Sequence, residues 1–118
     1  MTVNRYSSQF IDKNDLKKVK EVLNSDYLTQ GPYNEKFEKQ LSKATNSKYS
    51  LTFNSATSAL HTACISLGLK PEDRVWVTVN SFVASSNCAL YCGAKIDFVD
   101  IDLKTFNISV DSLKIKLK

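Results

Sequence analysis

No run of apolar residues in the 118-residue sequence approaches the ~18 that a membrane helix requires. The opening stretch "MTVNRYSSQF" lacks the apolar centre of a secretion signal. The expectation is a cytoplasmic protein that has no membrane partner. Basic clusters are missing too: 16 Lys and Arg sit among 12 Asp and Glu along helical patterns, and the formal charge of +4 reads as solvated helix faces. Without a Lys and Arg patch interleaved with aromatics, or a reading motif, no nucleic acid is expected as a partner. Internal repeats, low-complexity tracts and linkers are also absent, and 42% hydrophobic content supplies one modest core rather than two.

Cysteine is scarce and odd in number, which excludes a fully paired disulfide framework. Cys64, Cys88 and Cys92 lie in apolar helical patterns, as reduced core thiols do. His61 and Cys64 are three apart and Cys88 and Cys92 four apart, so two helices could offer four zinc ligands. Structural zinc sites usually carry tighter CxxC knuckles on turns, which favours core cysteines and a helix-face histidine.

What is present is a succession of helices and strands. Asp12 with Asp15 has the spacing of an N-cap and an acidic N3 residue, and Leu16, Val19, Val22 and Leu23 form an apolar stripe running to about Asn24. Gly31 breaks the chain, Pro32 suits a helix start, and Tyr33, Phe37, Leu41 and Ala44 recur at helical spacing, which predicts a second helix over Pro32 to Thr45. "KYSLTF" alternates as a strand, Ala59 to Leu67 reads as a helix stopped by Gly68, and "RVWVTV" is a second strand. "NSFVASSN" reads as a polar hinge, "CALYCG" as a helix closed by Gly93, "KIDFVDID" as a third strand and "VDSLKIKLK" as a helix cut by the chain end. This alternation predicts an α/β fold: a mostly parallel sheet with covering helices, incomplete at three strands and so the opening of a larger domain.

In open α/β sheets, ligands sit at the carboxyl ends of strands, where the amides of the next helix start hold anions. Ser55 to Ser58 take that position. Their small side chains would let a phosphate reach the amides of Ala56 and Thr57, whereas the plainer reading is a Ser-rich N-cap. The second hinge presents Phe82, Ser85 and Asn87 at the same edge, and a flat aromatic beside a phosphate cup suits a phosphorylated aromatic cofactor.

"YLTQGP", "FNSATSALHTACISLGL", "VTVNSFVASSNCALYCGAKIDFVDID" and "FNI", in this order and spacing, resemble the N-terminal part of the DegT/DnrJ/StrS family of pyridoxal-phosphate-dependent sugar aminotransferases. The form "NSATSALH" resembles the family's pseudaminic-acid subgroup, which aminates the C4 ketone of a nucleotide-linked deoxy sugar. The resemblance implies the start of the large domain of an aspartate-aminotransferase-like, fold-type-I enzyme. Residues 1–46 would be its helical N-terminal segment and 47–118 the beginning of its sheet. It implies pyridoxal 5'-phosphate as cofactor, with Ser55, Ala56 and Thr57 at the phosphate and Phe82 stacked on the pyridine ring. It also places Thr29, Gln30 and Gly31 on the substrate side, and makes Asp100 and Asp102 a strand-end signature.

The implied partners are a nucleotide-sugar substrate, a glutamate amino donor and a second subunit in a homodimer. Transamination needs a lysine that bonds the cofactor and shuttles protons, plus a carboxylate at the pyridinium nitrogen. In the family both lie beyond the matched segment, and Lys48, Lys95, Lys114, Lys116 and Lys118 lack that context. The isolated chain is therefore expected to be inactive. The other readings are a non-catalytic phosphate-binding remnant, a piece that docks with a separately encoded C-terminal part, and a fragment of a sugar dehydratase, in which histidine replaces the lysine.

Overall fold

The computed structural model describes residues 6–118, so half of the stretch read for a secretion signal lies outside the described residues. The chain divides into two compact units, one ending at Thr52 and one running from Phe53 to Lys118. Among the described residues no helix is long and apolar enough to cross a membrane.

The first unit holds α1 (Lys13–Leu23) and α2 (Pro32–Thr45). Asp12 caps α1 by accepting from the amides of Asn14 and Asp15, and the Asp15 carboxylate accepts in return from the Asp12 amide. This reciprocal box satisfies donors that a bare helix start leaves open. Gly31 is the N-cap of α2 for a reason of space, since a Cβ there would come within 3.1 Å of the Tyr27 carbonyl oxygen. The two helices are joined by the Tyr33 hydroxyl, which donates to Glu21 at 2.9 Å, while Lys18 reaches the same carboxylate at 2.8 Å. Lys18 first, and Tyr33 next, hold the Glu21 carboxyl below the usual range.

The second unit is built on β1 (Arg74–Thr78) and β2 (Lys95–Val99), paired in parallel with Arg74 opposite Lys95 and Thr78 opposite Val99. Between them runs α4 (Ala84–Tyr91), which packs on both strands and on α3 (Ala56–Ser66). Ala84, Ser86, Cys88 and Ala89 of α4 are buried, and Ala94 and Val99 complete the core. Small side chains on that face let the helix approach the sheet closely. The indole nitrogen of Trp76, in the middle of β1, is buried without a hydrogen-bond partner among the described residues.

Beyond β2, Ile101 and Ile108 form an antiparallel bridge around a turn. The Asp102 carboxylate holds that turn by accepting from the amides of Lys104 and Thr105, both at 2.9 Å, and from the Thr105 hydroxyl. These bonds, Thr105's amide first, lower its pKa. α5 (Val110–Lys116) is tied to β2 by Lys116, whose Nζ lies 3.0 Å from Asp97 Oδ1.

Three expectations change. "KYSLTF" makes no ladder among the described residues: Tyr49 and Leu51 are 76% and 71% exposed, and the Thr52 amide donates to the Glu38 carboxylate instead of to a strand. Alternation shows a segment's capacity to pair, and here no partner strand lies beside it. The described sheet accordingly has two strands rather than three. The hinge is also shorter than expected, because α4 begins at Ala84 and takes in Ser85, Ser86 and Asn87.

Candidate functional site

α3 starts at the candidate phosphate cup. Its N-cap is Ser55, whose Oγ accepts from the Ser58 amide at 3.2 Å and exchanges a 3.0 Å hydroxyl bond with Ser58. The Ala59 amide donates to the Ser55 carbonyl at 3.1 Å. The amides of Ala56 and Thr57, as the first two of the helix, therefore have no intrahelical acceptor. No acidic side chain stands in the first turn, in contrast to α1, α2 and α5. An anion held there meets two free amides and the positive end of the helix dipole. Ser55 is committed to the cap, and the neighbouring Ala56 side chain is exposed and small.

This cup follows an extended, unpaired segment, so the rule that placed it at a strand end is corrected for the described residues. The rule holds for Phe82, which lies in the turn between the end of β1 and the start of α4. Its ring is 75% exposed. Ser85 and Asn87, placed by sequence beside Phe82, sit half-buried in the first turns of α4.

Thr29, Gln30 and Gly31 belong to the first unit and the cofactor candidates to the second. Gln30 takes the left-handed conformation at φ 52°, which turns the chain into α2. Asp100 and Asp102 follow the end of β2: Asp100 accepts from the Ile101 amide, and Asp102 is occupied by its turn. Lys114 lies 3.7 Å from Asp111 and Lys116 pairs with Asp97, which leaves both in surface ion pairs.

His61, Cys64, Cys88 and Cys92 lie on α3 and α4, or at their ends, without forming a metal-binding group among the described residues. His61 packs edge-on against Tyr91 with ring centroids 5.2 Å apart. All three thiols are free. Burial first, and then Cys88, push the Cys64 thiol from 9.0 up to about 11. The folded form thus keeps a proton that the unfolded form gives up, so this contribution to stability is complete below about pH 9 and lost as pH rises toward 11. Cys64 is accordingly expected to resist alkylation by iodoacetamide at pH 8 until denaturant is added, as peptide mass mapping would show. Rapid labelling in the native chain would contradict its placement.

The sequence missed the role of Ser81, whose hydroxyl donates to that of Ser85 at 2.8 Å. Serines four apart across a helix start were the available signal.

A model of the DegT/DnrJ/EryC1/StrS aminotransferase family matches residues 9–118. The chain belongs to that family. Among relatives, the UDP-4-amino-4,6-dideoxy-N-acetyl-beta-L-altrosamine transaminase of Campylobacter jejuni strain 81-176 is 42% identical over 96 residues, which are 81% of this chain and 25% of the relative. Spr1654 from Streptococcus pneumoniae, which carries the name of a sugar aminotransferase and was solved in its PLP form, superposes with a TM-score of 0.90 at 30% identity. It covers 95% of this chain and 29% of that one. The GDP-4-keto-6-deoxy-D-mannose-3-dehydratase of E. coli, solved with bound hydrated PLP, gives 0.88 at 30% identity over 95% of this chain and 30% of its own. The expected fold class stands: this DegT-family chain has the α/β architecture of the opening part of the fold-type-I enzymes, with a partial sheet. It spans about a quarter of the length of the curated relatives it matches.

Proposed function

We propose that the chain forms the N-terminal portion of one pyridoxal-phosphate-dependent transferase domain and supplies the cofactor's phosphate and ring contacts in a sugar-nucleotide aminotransferase. In this reading residues 1–46 lead into the sheet portion, 47–118. The observation that carries it is the pair of uncommitted amides on Ala56 and Thr57 at a helix start free of acidic side chains. Ser55 shapes that start by capping it, and the exposed Phe82 ring offers a flat face for the pyridine.

When bound, pyridoxal 5'-phosphate supplies the electron sink that amino-group transfer requires. The chain's own contribution is binding and orientation: α3 holds the phosphate, Phe82 fixes the ring plane, and Thr29, Gln30 and Gly31 border the substrate. The proposed reaction moves an amino group from glutamate to the C4 ketone of a nucleotide-linked deoxy sugar, in pseudaminic-acid synthesis, within a cytoplasmic homodimer. The 42% identity to the Campylobacter transaminase supports amination as the reaction. Alone, the chain is expected to bind but not to turn over.

The test uses the 118-residue chain with two probes: inorganic phosphate, and pyridoxine 5'-phosphate, which lacks the aldehyde that would react with surface lysines. Both are expected to raise the melting temperature. Thr57→Pro removes one donor amide at a position where proline is compatible with a helix start, and should weaken both ligands roughly tenfold or more. Phe82→Ala should weaken only the ring-bearing ligand, about three- to tenfold. No shift with millimolar concentrations of either probe would overturn the proposal.

A further inference from the structure

The turn that presents Phe82 is tightly held for one whose side chain is so exposed. The Val79 amide still donates to the Val99 carbonyl at 3.3 Å, extending the contact between the strands by one residue. Five residues later α4 begins without a side-chain cap: Val83, at the N-cap position, is already helical at φ −55° and ψ −28°. Such a start leaves amides and the entry angle unsupported. Three serines supply the support. Ser81 Oγ donates to Ser85 Oγ at 2.8 Å, the Ser85 amide donates to the Phe82 carbonyl at 2.9 Å, and the buried Ser86 hydroxyl donates to the Val83 carbonyl at 2.9 Å.

Phe82 thus lies inside a loop closed twice by one residue, through the amide and the hydroxyl of Ser85. We propose that Ser85 is a positioning residue, whose hydroxyl, paired with Ser81, fixes the backbone that aims the Phe82 ring. A fixed backbone restricts the rotamers open to the ring and lowers the ordering cost when a flat ligand arrives. The inference rests on the reading of Phe82 as a stacking partner. It adds a residue whose contribution is orientation rather than contact.

The experiment measures dissociation constants of the 118-residue chain for pyridoxine 5'-phosphate and inorganic phosphate. Ser85→Ala removes the hydroxyl bond, keeps the amide bond and places a good helix former in α4, so the chain is expected to fold. The constant for pyridoxine 5'-phosphate should rise roughly three- to tenfold, the yield of one hydrogen bond, while that for phosphate stays unchanged. Ser85→Thr, which restores a hydroxyl, should recover the lost affinity. In a Phe82→Ala background, Ser85→Ala should have no further effect.

If Phe82→Ala weakens the ring-bearing ligand and Ser85→Ala does not, the positioning role is overturned and stacking survives. If Ser85→Ala weakens binding equally without Phe82, the hydroxyl touches the ligand and the positioning role is again overturned. If Phe82→Ala itself has no effect, the stacking reading fails first.

Discussion

Val99→Asp is expected to abolish the cooperative thermal unfolding of the Phe53–Lys118 unit, leaving a flat far-ultraviolet circular dichroism trace for that part of the chain. Val99 is 0% exposed and is the largest side chain fully enclosed among the described residues. It stands opposite Thr78 at the end of the parallel pair, and the other buried apolar residues among those described are the short side chains Ala84, Cys88, Ala89 and Ala94. A carboxylate there would lose its hydration with no cation to replace it, a cost of several kcal/mol after relaxation. Single domains commonly hold only about 5–15 kcal/mol in total, and a core of so few side chains belongs at the low end. Val99→Ala separates charge from volume: it should cost about 2–3 kcal/mol through lost burial and a cavity, and lower the melting temperature by roughly 10 °C. An unchanged melt in Val99→Asp would show that the packing centre lies elsewhere.

Gly93→Val is expected to be the next most damaging change in that unit, at about 2–3 kcal/mol. Gly68 and Gly93 close α3 and α4 in the same way, at φ 73° and 76°. After α3, the Gly68 amide donates to the Ile65 carbonyl and the Leu69 amide to that of Cys64. After α4, the Gly93 amide donates to Leu90 and the Ala94 amide to Ala89. These paired bonds satisfy the last carbonyls of each helix and require a left-handed residue between them. Space is not the obstacle, since an added Cβ at Gly93 would meet Pro71 at an ordinary 3.4 Å and at Gly68 nothing within 4 Å. Gly68→Ala and Gly93→Ala should therefore cost similar amounts, about 1–2 kcal/mol each, in chemical denaturation. A Gly93→Ala penalty far above that of Gly68→Ala would move the cause from backbone conformation to the Pro71 contact.

Sequence signals that act over one turn of chain proved legible. Pro32 at the first helical position and the Asp12 and Asp15 box marked the starts of α1 and α2, and both helix-closing glycines were found by the same local logic. The strand expected at "KYSLTF" does not form, because a strand is a relation between two segments and only one of them can be read from alternation. The start of α4 was misplaced because Ser85 and Ser86 read as polar hinge residues, yet Ser86 is 7% exposed with its hydroxyl on the Val83 carbonyl. A serine that satisfies its own polar group against the backbone can sit in a buried helix face. At the candidate site, Ala56, Thr57 and Phe82 were singled out by their place at helix starts and by the family resemblance, and the residues of the cup alone left it and an ordinary cap as equal readings. The link from Ser81 to Ser85 needed coordinates, since many serine pairs share that spacing and few touch.

The sequence contains one tryptophan, and it lies within β1. Among the described residues no acceptor reaches the buried indole nitrogen of the half-buried Trp76, so the chain is expected to emit to the blue of a fully solvated tryptophan. The emission is a single-site gauge of water entering the sheet, separate from the helical signal, and it allows opening of the strand pair to be timed without attaching a dye.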